Sequence, residues 1–168
     1  EITRNDIAIV GGKGANLGEM TGAGIPVPNG FVGTSAAYFS FIEQTGIPAK
    51  MRDILEPLDV SDSKKLQQAA KQVQEIVINA PMPPELADEI KKSYAELGGG
   101  LVAVRSSATA EDLPEASFAG QQSTYLNIGS AGNVVEAVHS CWASLFEARA
   151  IFYRKEQGTE CCGDTSQR

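Results

Sequence analysis

Short runs of apolar residues predict the strands of this chain. Residues 7–10 and 101–104 are each four apolar residues in a row, which is typical of a buried strand. Residues 123–128 combine alternating and β-branched side chains, which predicts a third strand. The first run leads into a glycine-rich loop at 11–14 and then a helix, and the second leads into a polar loop rich in hydroxyl groups.

Apolar residues three or four positions apart predict helices in the rest of the chain. A short helix is predicted at residues 35–44, with Thr34 as its N-cap. Several helices are predicted between residues 49 and 97, one starting near Ser61 and Asp62 and another with Pro84 in its first turn. A long amphipathic helix is predicted from residue 132 to about residue 157.

These elements together predict an α+β fold, a mixed α and β domain of few strands and several helices. The helical segment 49–97 is expected to pack beside the sheet as an insertion, and the order of the strands is left open. The sequence has no repeat of fixed length and no linker long enough to separate independent domains, so residues 1–157 are predicted to form one unit. Residues 158–168 show no period and are predicted to be an irregular tail.

Composition fits a globular chain and argues against some functions. The 168 residues are 42% hydrophobic and 21% charged, which is sufficient for a core without disulfides. A net charge of -7 argues against a nucleic-acid-binding surface. No apolar run approaches the ~18 residues of a membrane span, and the start lacks the pattern of a signal peptide, so a cytosolic protein is expected. The three cysteines, at positions 141, 161 and 162, fit neither a disulfide framework nor a metal knuckle.

Two cations at the ends of predicted strands point to a phosphate ligand. Lys13 lies between Gly12 and Gly14, where the backbone can approach an anion closely while the lysine reaches over it. The spacing matches neither a P-loop nor a GxGxxG motif, and the alternative is that these glycines only form a tight strand-to-helix turn. Arg105 follows the strand at 101–104, and it needs either an anionic ligand or a structural carboxylate partner, because an unpaired buried charge is costly.

The loop after Arg105 offers further groups that suit an anion. Ser106, Ser107 and Thr109 supply hydroxyls and backbone donors, and Gly120 allows the returning chain to pass close to a bound molecule. The alternative is that all four are ordinary loop residues.

Three acidic residues in the same loop have two interpretations. Glu111, Asp112 and Glu115 are either ligands of Mg²⁺ or solvated loop charges. The second interpretation is favoured, since Pro114 breaks any helical register and three carboxylates beside a phosphate would repel it in the absence of a metal.

Two residues of the long predicted helix have chemically interesting side chains. His139 suggests a phosphohistidine, but its spacing from Val135 and Trp142 favours a packed or partly exposed helical residue. Cys141 is most simply a small core side chain on the same helix.

Three segments of the chain carry a resemblance to a known family. They are VGGKGANLGEM at residues 10–20, IPVPNGF at 25–31 and VRSSATAEDLPEASFAGQ at 104–121. They closely resemble the N-terminal nucleotide-binding domain of the phosphoenolpyruvate synthase family, which also includes pyruvate phosphate dikinase and rifampicin phosphotransferase. The likeness extends in order from about residue 5 to residue 157, and the third segment is highly specific.

The resemblance implies an ATP-grasp-like fold, in which ATP lies between two subdomains and a phosphoryl group passes to a histidine on a separate domain. In the synthases that histidine then phosphorylates pyruvate, so that ATP, pyruvate and water give AMP, phosphoenolpyruvate and phosphate. By the same resemblance, Lys13 and Arg105 hold the ATP phosphates. The family's glycine-rich loop falls on the stretch ending at Gly120, and Thr124 matches a threonine near the nucleotide.

The resemblance also implies that parts of the enzyme lie outside this sequence. The acidic Mg²⁺ ligands, the phosphohistidine domain and the pyruvate-binding domain of the family have no counterpart in residues 1–168, so an ATP-binding fragment without catalytic or metal-binding residues of its own is expected. Partners are then ATP and the remaining domains of a parent chain. The alternatives are the ATP-binding part of a rifampicin phosphotransferase-like or pyruvate phosphate dikinase-like enzyme, or a degenerate module that binds nucleotide without catalysis.

Overall fold

The computed structural model describes residues 2–107 and 123–158, which form a mixed α and β fold, as predicted. After a single 3₁₀ turn at Arg4–Asp6, the elements follow in the order α1 (Ile7–Gly22), α2 (Ser35–Thr45), α3 (Pro48–Leu55), α4 (Ser63–Asn79), α5 (Pro84–Glu96), β1 (Val102–Arg105), β2 (Thr124–Ile128), α6 (Ala131–Ser144) and α7 (Ala148–Glu156). None of these helices is long and apolar enough to cross a membrane.

The prediction of a strand at residues 7–10 is wrong, because these residues form the first turn of α1. The preceding 3₁₀ turn begins with a capping box, in which the Thr3 hydroxyl accepts from Asn5 N and the Asp6 carboxylate accepts from Thr3 N at 2.8 Å. A four-residue apolar run fits a helix and a strand equally well, so its pattern alone does not distinguish them. The helix is kinked at Gly11, whose φ of 71° and ψ of 169° are not helical.

The helices predicted between residues 49 and 97 are confirmed as α3, α4 and α5. Asp62 caps α4, because its carboxylate accepts from the backbone N–H groups of Lys64 and Lys65 at 3.0 and 3.2 Å. The apolar sides of α2, α3, α4, α6 and α7 enclose the main core, whose largest fully buried side chains include Phe41, Met51, Val73, Phe146 and Ile151.

Strands β1 and β2 pair antiparallel. In the sequence they stand on either side of the stretch that was predicted to be a polar loop. Val102 pairs with Ile128 and Val104 with Tyr125, so β2 carries one extra residue between the two pairs. Asn127, with φ of 59°, lies in this bulge. The bulge allows Ile128 to return to the face that packs on α5 and α6, together with Val102 and Val104.

The first strand is less buried than the run at 101–104 predicts. Leu101 is 73% exposed and Leu126 on β2 is 64% exposed, whereas Val102 and Val104 are partly buried against the helices. The described sheet therefore has one face on the helices and one open face, and a run of apolar residues cannot by itself indicate how many faces are covered.

The single long helix predicted at 132–157 is instead two helices, α6 and α7. Glu147 between them is extended, with φ of -62° and ψ of 147°. The break turns the chain so that both Phe146, 1% exposed, and Ile151, fully buried, reach the main core. No glycine or proline marks this position, so the sequence pattern offers no stop signal.

Candidate functional site

Lys13 reaches the end of strand β1 from a distant part of the chain. Its ammonium group donates a hydrogen bond to the Ser106 carbonyl oxygen at 3.2 Å, in a partly buried environment. Ser106 directly follows Arg105, the second predicted phosphate ligand. The kink at Gly11 precedes Lys13 by two residues and sets the direction of the helix that carries it.

Arg105 and Thr124 are cross-strand partners at this end of the sheet. Register partners in an antiparallel sheet lie on the same face, and successive residues of a strand lie on opposite faces. Since Val104 packs on the helices, Arg105 and Thr124 lie on the open face. Arg105 is exposed, and it makes no ion pair with any residue in 2–107 or 123–158, so a structural carboxylate partner is not found in the part of the chain described.

The two cations approach the strand end from different sides. Lys13 extends from α1 to the Ser106 carbonyl oxygen, and its positive charge is near enough to Cys141 on α6 to oppose the rise of the thiol pKa. Arg105 projects from the open side. At the strand end, Ser106 N donates a hydrogen bond to Ser123 O at 3.2 Å.

The glycines around Lys13 have packing roles in this structure. A Cβ added at Gly14 would lie 3.0 Å from Val10 Cβ and 3.6 Å from Val32 Cγ1, so this glycine allows α1 to pack closely on the segment that follows it. Gly12 is also buried. The prediction of a glycine-rich loop at 11–14 is wrong, because these residues belong to α1, and the segment offers a partly buried Lys13 side chain rather than a free backbone cradle.

Other predicted site residues lie outside the described residues. Gly120 and the three acidic residues Glu111, Asp112 and Glu115 all fall in 108–122. Among the residues that are described, no group of three or more His, Cys, Asp and Glu side chains is arranged to hold a metal ion.

Two hydroxyls that the sequence suggests are loop groups are in fact buried beside Lys13. Ser106 is 7% exposed, and the Oγ atoms of both Ser106 and Ser107 are buried without a hydrogen-bond partner. A side chain at Gly11 would overlap Ser107, so these two positions are in close contact. No local sequence pattern signals this contact, because it joins residues far apart in the chain.

Cys141 is a buried thiol beneath the site, as predicted for a core side chain. Its Sγ lies 4.0 Å from the Ser123 carbonyl oxygen, and it is 5% exposed. Burial raises the pKa of the Cys141 thiol to about 11, and the nearby Lys13 charge only partly opposes that rise.

We expect Cys141 to resist alkylation while the chain is folded. In a variant carrying Cys161→Ser and Cys162→Ser, iodoacetamide at pH 8 should modify the native protein at least about a hundredfold more slowly than the urea-unfolded protein, because burial and a raised pKa both suppress the thiolate. Mass spectrometry over time measures the rate. Equal rates in the folded and unfolded states would show that the thiol is accessible.

His139 is packed rather than presented to solvent. Its ring lies edge-on to Phe41, with ring centroids 5.1 Å apart, and it also contacts Trp142. Burial lowers the pKa of His139, and a hydrogen bond with the Val77 backbone opposes this only in part. The ring contacts and partial burial of His139 favour the packing role that the sequence suggests over a phosphoryl acceptor.

The lowered pKa of His139, the only histidine in the sequence, predicts a loss of stability in mild acid. The unfolded chain binds a proton near the ordinary pKa of 6.5, whereas the folded chain resists it, so the stabilisation is present above that pH and is lost as the pH falls through the folded value. Urea unfolding at pH 7.5 and 5.5 should show a smaller difference in His139→Gln than in the wild type. Identical differences would exclude His139 as the source.

Comparison with known proteins identifies relatives over nearly the whole chain. Residues 7–162 match the family described as pyruvate phosphate dikinase, AMP/ATP-binding domain. The chain is 53% identical over 166 residues to a probable phosphoenolpyruvate synthase of Staphylothermus marinus, covering 94% of this chain and 20% of the relative. It is 54% identical over 164 residues to a probable phosphoenolpyruvate synthase of Methanocaldococcus jannaschii, covering 94% of this chain and 14% of the relative. It is 44% identical over 196 aligned residues to the phosphoenolpyruvate synthase of Pyrococcus furiosus, covering 94% of this chain and 24% of the relative. The chain thus spans a quarter or less of the length of these relatives.

Proposed function

The chain belongs to the family of pyruvate phosphate dikinase AMP/ATP-binding domains, and on that premise we propose that it is the ATP-phosphate-binding part of a phosphoenolpyruvate synthase-like phosphotransferase. Residues 1–157 form this partial ATP-binding domain in the proposal, with the helical segment 49–97 as its insertion and 158–168 as a tail. The parent protein is proposed to act in the cytoplasm.

The observation that carries the proposal is the hydrogen bond from Lys13 to the Ser106 carbonyl oxygen. It joins the glycine-flanked lysine to the peptide that follows Arg105, so Lys13 lies at the same end of β1 as Arg105 although the two are far apart in sequence. An extended polyphosphate has several charged oxygens along its length, and it therefore suits two cations that approach the strand end from different sides better than a single small anion does.

Each proposed site residue has a role that follows from its chemistry. Lys13 offers a compact positive charge to a terminal phosphate, and Arg105 offers a planar set of donors to a neighbouring one. Thr124, the cross-strand partner of Arg105, offers a hydroxyl on the same face. Gly120 is proposed to let the chain pass close to the phosphates. Phosphoryl transfer depends mainly on positioning the phosphates and neutralising their charge, which these groups supply.

The remaining chemistry is proposed to lie elsewhere in the parent protein. Mg²⁺ ligands are proposed to lie in other domains, because the family resemblance places its acidic metal ligands outside residues 1–168. The histidine that receives the phosphoryl group and the pyruvate site are likewise assigned to other domains, since His139 is partly buried against Phe41 and Trp142. The proposed overall reaction of the parent converts ATP, pyruvate and water to AMP, phosphoenolpyruvate and phosphate. Pyruvate is preferred as the acceptor because the relatives are named phosphoenolpyruvate synthases.

Reconstitution tests the proposed function directly. The 168-residue chain would be supplied in trans to the complementary region of a phosphoenolpyruvate synthase, and the formation of AMP and phosphoenolpyruvate from ATP and pyruvate would be followed by ³¹P NMR. We expect AMP and phosphoenolpyruvate only when both parts are present. An assembled mixture that forms AMP but no phosphoenolpyruvate would indicate another acceptor, and a stable complex without turnover would indicate a module without catalytic function.

A further inference from the structure

Gly11 lies where α1 changes direction, immediately before the turn that carries Lys13. Its φ of 71° and ψ of 169° fall in a region of conformational space that is open almost only to glycine. The residues before it form one helical turn, and those from Gly12 onward form the segment that ends at Gly22. The position of Lys13 relative to the rest of the molecule therefore depends on the backbone angles at Gly11.

Ser107 occupies the space that a side chain at position 11 would need. A Cβ at Gly11 would overlap Ser107 Oγ and would lie 3.0 Å from both the Ser107 carbonyl carbon and Ser107 Cβ. Two of these three atoms belong to the side chain and one to the backbone, so rotation of the serine alone would not make room. The Ser107 hydroxyl has no hydrogen-bond partner, so the contact is one of shape rather than of hydrogen bonding.

The contact lies beside the hydrogen bond that joins Lys13 to the strand end. Gly11 meets Ser107, and Lys13 donates to the carbonyl oxygen of Ser106, the preceding residue. Ser106 and Ser107, which are adjacent after β1, are thus each in contact with a residue of α1. A side chain at Gly11 would push Ser107 away, and the adjacent Ser106 would move with it. The 3.2 Å hydrogen bond from Lys13 to the Ser106 carbonyl oxygen would then be kept only by a compensating shift.

From this geometry we infer that Gly11 and Ser107 act as a matched pair that positions Lys13 at the end of β1, and that the closeness of their contact sets the affinity of the site for a polyphosphate. The inference rests on the proposed function in that ATP is the ligand whose affinity changes. Gly11 is a positioning residue and does not itself touch the nucleotide.

The first test measures the position of Lys13 without any nucleotide. Competitive labelling of the lysine amines with acetic anhydride, read by mass spectrometry, compares Lys13 with the other lysines. Gly11→Ala should raise the relative labelling of Lys13 severalfold, because the ammonium loses its carbonyl partner. The matched control is Gly22→Ala, since Gly22 belongs to the same helix and has open space around it. Unchanged labelling in a folded Gly11→Ala variant overturns the inference.

The second test couples Gly11 to Lys13 through ATP affinity. In calorimetric titrations with Mg-ATP, Gly11→Ala should weaken binding by about tenfold, whereas Gly22→Ala should not. The double variant Gly11→Ala/Lys13→Ala should bind no more weakly than Lys13→Ala alone, because both changes remove the same interaction. Additive losses would mean that Gly11 acts independently of Lys13, and the inference would be wrong.

A variant on the other side of the contact covers the case in which Gly11→Ala does not fold. Ser107→Val enlarges the partner without placing a side chain on left-handed backbone, and the same increase in Lys13 labelling is expected. Unchanged labelling in that variant overturns the inference. The proposed function fails on separate grounds: if the wild type does not bind ATP, or if Lys13→Ala binds ATP as well as the wild type does. In either case the labelling of Lys13 still shows whether Gly11 and Ser107 position it.

Discussion

Replacing Phe41 with Ala should lower the free energy of unfolding by about 3–5 kcal/mol. Phe41 is fully buried at the meeting of α2 with α6, where its ring centroid lies 5.0 Å from that of Trp142 and 5.1 Å from that of His139. Truncation removes the apolar surface that the ring buries and leaves a cavity that these neighbours cannot fill. Urea denaturation followed by circular dichroism measures the effect.

Phe152 on α7 provides the matched control, because it is the same residue type but 41% exposed. Phe152→Ala should cost less than about 1 kcal/mol, as most substitutions outside the core do. The stability of a domain is usually about 5–15 kcal/mol, so only the Phe41 variant should approach complete unfolding at room temperature. Equal losses at the two positions would show that the core does not lie where the structure has it.

The helices could be predicted from sequence where a long periodic pattern was bounded by recognisable caps. Helix α4 has five buried residues at helical spacing and begins at the capping residue Asp62, and both features are visible in the sequence. Helix α5 begins at Pro84, which suits a first turn and no later position. In these helices local propensity and packing favour the same structure, so no tertiary information was needed.

The wrong predictions arose where the deciding interaction was not local in sequence. The run at 7–10 is too short for its period to distinguish helix from strand. The break at Glu147 has no glycine or proline, and it follows from the need of both Phe146 and Ile151 to reach the same core. The bulge at Asn127 is also a consequence of pairing, since it keeps Ile128 on the packed face of the sheet.

The candidate site was only partly accessible from sequence for the same reason. Lys13 and Arg105 could be singled out because each is a cation beside flexible or strand-terminating backbone. That Lys13 lies at the end of β1 beside Arg105 is seen only in the structure, through the hydrogen bond from Lys13 to Ser106. The contact between Gly11 and Ser107 had no sequence signal, because glycine is common in turns and serine in loops.

Lys13→Ala and Arg105→Ala should each weaken the binding of Mg-ATP by about ten- to a hundredfold, since a hydrogen bond to a charged group contributes about 1.5–3 kcal/mol. Isothermal titration calorimetry on the 168-residue chain measures the change. Because both side chains neutralise phosphate charge, each variant should also show a weaker dependence of affinity on salt concentration than the wild type. That second effect distinguishes loss of a charge contact from a general loosening of the fold.

Lys92→Ala and Arg52→Ala are the matched controls for these two variants. Lys92 is an exposed lysine of α5, whose weak ion pair with Glu96 spans 4.0 Å, and Arg52 is an exposed arginine in the last turn of α3. Both controls remove one positive charge from the chain away from the strand end, so their ATP affinity should stay within about twofold of the wild type, because surface charges beyond a Debye length are screened. If the wild type binds ATP tightly and neither Lys13→Ala nor Arg105→Ala weakens it more than these controls do, the phosphates are held elsewhere. A loss confined to one of the two cations would instead mean that the polyphosphate contacts only one side of the strand end.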